Sequence, residues 1–112
     1  MAKLERTLKG NFATILEALD NAVMNGSFTA SYEDGSDVRL SCGARCVTRV
    51  YERYSWTGQN RVSLTMVLVG DKDSCHVTLI TSGGSTGAFW KINTWGEEAF
   101  LDTVIDTLES LS

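Results

Sequence analysis

Proline is absent from this 112-residue chain. No prolyl isomerisation can slow its folding, and no strand position is barred from donating to a ladder. Histidine occurs once, at His76, so no pair of histidines is available for metal binding or acid–base work. The three cysteines, Cys42, Cys46 and Cys75, are odd in number and irregularly spaced. That is not a disulfide framework. No apolar run approaches the roughly 20 residues of a membrane-spanning helix, and the longest candidate, Leu64 to Val69, is interrupted by Thr65. The opening decapeptide has no apolar core of signal-peptide length, which predicts a cytoplasmic protein. Basic residues are missing altogether from Thr94 to Ser112, and the chain carries a net charge of -4. A mildly acidic domain is a poor general binder of nucleic acid, because phosphate affinity rests on clustered Lys and Arg. It is an equally poor match for an anionic membrane surface.

What is present is ordinary for a globular protein: 43% of residues are apolar and 21% charged, which excludes a disordered polar chain and a coiled coil. The length fits a single domain over residues 1–112, long enough to bury about two-thirds of its unfolded surface.

Two segments carry a helical period. Phe12, Ile15, Leu16, Leu19 and Val23 make one apolar stripe, with Asn11 placed to cap it and Asn25-Gly26 to stop it, predicting a helix over Phe12 to Met24. Thr94-Trp95-Gly96-Glu97 matches a capping box, followed by the stripe Leu101, Val104, Ile105, Leu108 and Leu111. Between them the period falls to two. Phe28, Ala30 and Tyr32 alternate with polar residues up to Glu33-Asp34-Gly35-Ser36, which reads as a hairpin turn. Val38, Leu40 and Cys42 continue the inward set, and Gly43 marks a break. A long strand spans Ala44 to Ser55, then come Val62, Leu64, Met66 and Leu68, a turn at Asp71 to Ser74, Val77 and Leu79, and a last strand over Thr86 to Asn93. Lys3 to Leu8 can add an edge strand. Short turns force antiparallel neighbours. The expected fold is α+β: a two-layer sandwich, with an antiparallel meander of five or six strands packed on two helices.

Several stretches belong together: Ser31-Tyr-Glu-Asp-Gly-Ser36, Arg49-Val-Tyr-Glu-Arg-Tyr-Ser55, Asn60-Arg-Val-Ser-Leu64, Ile80-Thr-Ser-Gly-Gly-Ser85 and Ile92-Asn-Thr-Trp-Gly-Glu-Glu-Ala-Phe-Leu-Asp102. As a set, and nearly end to end, the chain resembles a family of small uncharacterised bacterial proteins known only as a domain of unknown function. The resemblance implies a bacterial, cytoplasmic protein and brings no activity or catalytic residue with it. A weaker likeness, in element order alone, is to the helix-grip proteins, which hold apolar ligands between a curved sheet and a C-terminal helix; fold does not by itself assign function.

The arginines carry the most information. Arg45, Arg49 and Arg53 fall on one side of the long strand with Val47 and Tyr51, and Arg39 and Arg61 are expected to project in the same sense from the neighbouring strands. Ser36 to Arg61 sums to +3 and Thr94 to Ser112 to -5, so a basic sheet face and an acidic helical face are expected. Such a face can simply be solvated, with arginine stems lying over Val47 and Tyr51. It can also bind a second copy of the chain, or a phosphorylated metabolite or single-stranded nucleic acid, since Arg pairs well with phosphate, Tyr51 adds a stacking surface, and both are enriched at contacts. The leading expectation is a binding or interaction module that self-associates through this face, giving a homo-oligomer. The alternative is a domain binding a small apolar or anionic molecule in a pocket between the sheet and the C-terminal helix, edged by Phe28, Met66 and Trp90.

Other chemistry is thinly signalled. Cys42, Cys46, Cys75 and His76 are soft or borderline ligands, but Cys75 and His76 are adjacent on a strand and so point to opposite faces, which argues against a tetrahedral zinc site. The cysteines read as small buried apolar residues. Ser82-Gly83-Gly84-Ser85 lacks the lysine of a phosphate loop and is followed by a strand, as a bulge would be. No catalytic constellation emerges, and no cofactor is expected.

Overall fold

The computed structural model describes residues 2–26, 29–54, 61–83 and 107–108. Within them the chain order is strand β1 (Ala2–Lys9), helix α1 (Phe12–Asn25), then strands β2 (Ser31–Arg39), β3 (Arg45–Tyr54), β4 (Arg61–Gly70) and β5 (Ser74–Gly83). They form one five-stranded sheet in the order β1-β5-β4-β3-β2. Every neighbouring pair is antiparallel. The N-terminal edge strand closes on β5, with Leu4 opposite Leu79 and Leu8 opposite Cys75.

The helix starts where its sequence directs. Asn11 is extended at its backbone and its side chain accepts from the Thr14 amide, satisfying one of the donors left over at a helix start. The buried residues of α1 are Phe12, Ile15, Leu16, Leu19 and Val23, the stripe read from the sequence. They join one core cluster with Leu8 of β1, Val47 and Tyr51 of β3, Val62, Leu64, Met66 and Leu68 of β4, and Cys75, Val77 and Leu79 of β5. Each fully buried Leu or Val contributes about 1.5–3 kcal/mol relative to exposure. Burial alternates strictly along β4 and β5, the mark of a sheet with one face sealed.

The β2–β3 connection departs from the hairpin expected at Asp34-Gly35. Strand β2 runs straight through these residues with a bulge between Tyr32 and Asp34, and the chain reverses at Leu40 to Ala44 instead. There the Leu40 amide donates to the Ala44 carbonyl, and Gly43 supplies the left-handed backbone, φ 95°. Gly35 serves a close approach and not a turn. A Cβ at that position would stand 2.5 Å from the Thr48 carbonyl oxygen and 2.6 Å from the Tyr32 hydroxyl. The Tyr32 ring crosses over the bare glycine.

The second helix expected after the capping box falls largely outside the described residues, as does the strand over Thr86 to Asn93. Thr107 and Leu108 are helical, and Leu108 is buried in the core cluster. The described fold is thus an antiparallel sheet with a helix on one side, of α+β type. Among the described residues no helix is long and apolar enough to cross a membrane.

Gly35→Ala is expected to lower the unfolding free energy by about 1–3 kcal/mol, the cost typical of overpacking. Urea denaturation checks this, and a loss below about 0.5 kcal/mol, the usual range for a surface substitution, would contradict the close-approach reading.

Candidate functional site

The sides of β3 are set by β4. Register places Val47 opposite Leu68, Arg49 opposite Met66, Tyr51 opposite Leu64 and Arg53 opposite Val62. Directly opposed residues of an antiparallel pair share a face. The inner residues of β4 are wholly apolar and buried, so Arg45, Arg49 and Arg53 lie on the helix-facing side with Val47 and Tyr51. The five residues share one side, as their spacing predicts. The arginine spacing reads as an outer face of the sheet, solvated or in contact with a partner, whereas Val47 and Tyr51 are core residues and the side is the inner one. Arg39, opposite Arg45, shares the face. Arg61 does not: it lies opposite Tyr54, one residue out of phase with the buried Val62.

The arginines are accommodated at the margin of the core by partners from α1 and β2. Asp20, on the flank of the α1 stripe, accepts a 2.6 Å hydrogen bond from the fully buried Tyr51 hydroxyl and a 3.0 Å bond from Arg49 Nη1. Arg49 also lies over the Tyr32 ring, 5.9 Å from its centroid, and Tyr32 meets Tyr51 edge-on. Arg45 pairs in two places with Asp37 of β2, Nε at 3.0 Å and Nη2 at 2.7 Å, and its guanidinium sits 5.0 Å over the Phe12 ring. This pairing holds the Asp37 carboxyl below its ordinary value, with the charges of Arg39 and Arg49 acting in the same direction. Burial lowers the Arg53 pKa. Asp20, Tyr32 and Asp37 were not singled out as site residues by sequence reasoning. Asp20 was legible in principle, four residues after Leu16 and three before Val23, at the edge of the apolar stripe.

On the opposite side, Arg61 pairs with Glu52 at 2.6 Å and lies over Tyr54 at 5.7 Å. His76 is here too, with its Nδ1 3.1 Å from the Thr7 hydroxyl, while Cys75 points into the core, as their adjacency requires. Cys46 shares the outer side, one residue from the buried Val47, and Cys42 is exposed in the β2–β3 turn. Among the described residues no three His, Cys, Asp or Glu side chains gather into a metal-binding group. Of the pocket residues proposed from the sequence, Met66 is fully buried in the core. Phe28 and Trp90 lie outside the described residues.

An antiparallel α+β protein with an arginine row tucked beside its helix is the class that this architecture defines. A family model described as "Family of unknown function (DUF6054)" matches residues 1–112, and the chain belongs to that family. No curated protein matches the chain. Among solved structures, the crystal structure of TTHA0849 from Thermus thermophilus is similar over 99% of this chain and 98% of that one, at 11% identity and a TM-score of 0.27.

Burial and the Asp20 carboxylate push the Tyr51 phenol well above its ordinary 10.0. The folded state therefore holds this proton more tightly than the unfolded state. The stabilisation is complete below pH 10.0 and is lost as pH rises above it toward the folded value. Tyr51→Phe is expected to flatten the decline of stability above about pH 10, read by denaturation from about pH 8 to 11. An unchanged alkaline decline would contradict the assignment.

Proposed function

We propose that this protein is a small binding module of the bacterial cytoplasm that self-associates through the rim of the sheet formed by β2 and the end of β3. One observation carries the reading. Of the five large hydrophobic side chains exposed among the described residues, four (Tyr32, Val38, Leu40 and Tyr54) belong to β2, the turn after it and the last residue of β3. They line both sides of one rim: Tyr32 lies on the helix-facing side with Arg39, Arg45 and Arg49, and Val38 and Tyr54 lie on the opposite side, Tyr54 beside Arg61. Tyrosine and arginine set among exposed apolar groups are the composition of an interface centre. The contact is made by side chains and not by strand addition. The bulge after Tyr32 and the charges Asp34, Asp37 and Arg39 are the features by which edge strands block ladder extension. In this reading the chain completes a two-layer sandwich, its second helix running through the buried Leu108, and needs neither nucleic acid nor membrane.

Light scattering across a concentration series is expected to show mass rising from 12.3 kDa toward twice that value in low salt. The rise should weaken in high salt, because rim charges are screened, and vanish in Tyr32→Ser/Val38→Ser. A monomer at every concentration in low salt would overturn the proposal.

A further inference from the structure

Three segments meet at one end of the sheet: the β2–β3 turn, the β4–β5 turn and the start of α1. They line a cleft whose walls include Arg39, Arg45, Lys72, Gly43, Phe12 and Asp71. We propose that this cleft binds a phosphate group, free or as the monoester of a small molecule. The inference goes beyond the self-association reading and does not depend on it.

The argument is one of unmatched charge. Arg45 spends Nε and Nη2 on Asp37, and its ring contact with Phe12 fixes the plane of the guanidinium, leaving Nη1 outside that pair. Arg39 and Lys72 line the same cleft from different strands and turns, and among the described residues neither makes an ion pair or a side-chain hydrogen bond. The one acidic wall residue is Asp71, whose carboxylate is turned onto its own loop. It accepts from the amides of Asp73 at 2.8 Å and Ser74 at 3.1 Å, and those bonds lower its pKa. Arg39, Arg45 and Lys72 face one space against the carboxylates of Asp37 and Asp71, which leaves one positive charge in surplus and, on Arg39 and Lys72, donors that make no ion pair among the described residues. A phosphate group, with several acceptor oxygens, suits such a set. A carboxylate is a poorer match: Asp37 already occupies the carboxylate position of this cluster, against Arg45 and within the field of Arg39 and Arg49. Gly43 lines the cleft beside the guanidinium groups, and no atom stands within 4 Å of where its Cβ would be.

The test is an amide chemical-shift titration of the full chain with sodium phosphate, and separately with glycerol 3-phosphate, against sodium chloride at equal ionic strength. Saturable shifts at Phe12, Gly43 and Lys72 are expected with at least one of the two phosphates and not with chloride. Arg39→Ala/Lys72→Ala is expected to weaken the binding by about tenfold or more, the worth of one charge-assisted hydrogen bond. Lys3→Ala, on the far side of the sheet opposite Ile80, should leave it unchanged. Both variants alter exposed side chains, and an unchanged amide spectrum away from the substitutions confirms their folding. No saturable shift with either phosphate would overturn the proposal, as would equal weakening by Lys3→Ala, which would mark diffuse charge and not a site.

Discussion

The carboxylate of Asp20 joins the two parts of this molecule that must agree. It receives the hydroxyl of a fully buried tyrosine from the centre of the sheet and a guanidinium from the next inward position along the same strand. A buried phenol without a partner would cost about 1–3 kcal/mol, and a half-buried guanidinium costs more than a neutral group. Asp20 answers both from the flank of α1. The helix is thereby fixed over β3 in rotation as well as in depth. The apolar stripe alone would seal the sheet but would not decide where along β3 the helix sits.

That arrangement explains how a strand so rich in arginine can face a core. The guanidinium groups sit at the margins, where α1, β2 and the aromatic rings of Phe12 and Tyr32 meet them. Their aliphatic stems cover apolar surface that would otherwise meet water. Asp37 takes Arg45, Asp20 takes Arg49, and Arg39 is left over at the end of the row. The arginine left outside an ion pair thus stands at one end of the sheet, the place to which the phosphate proposal leads.

Much of this is legible in the residues. The stripe of α1, its Asn11 cap and the alternation of β4 and β5 all follow from local patterns with one strong solution, whereas Leu4 and Leu8 of the N-terminal edge strand show no such alternation. The side of β3 does not, because neither of its two parities is cleanly apolar. One holds Val47, Tyr51 and three arginines; the other holds Cys46, Thr48 and Val50 among polar residues. Only the pairing with β4, a long-range fact, breaks the tie. The inward set Val62, Leu64, Met66 and Leu68 is plain from its alternation, so the answer needs a register and not a new pattern. Asp34-Gly35 misleads for a related reason. A glycine that makes room for the ring of Tyr32 looks, in sequence, like a glycine that turns the chain.

The most direct measurement is a double-mutant cycle in urea denaturation between Asp20→Ala and Tyr51→Phe. The two changes should be non-additive by about 1–3 kcal/mol, since each removes the other's partner. Additivity within about 0.5 kcal/mol would mean that the helix and the sheet are not joined through these two side chains, and the placement of the arginine row would fail with it.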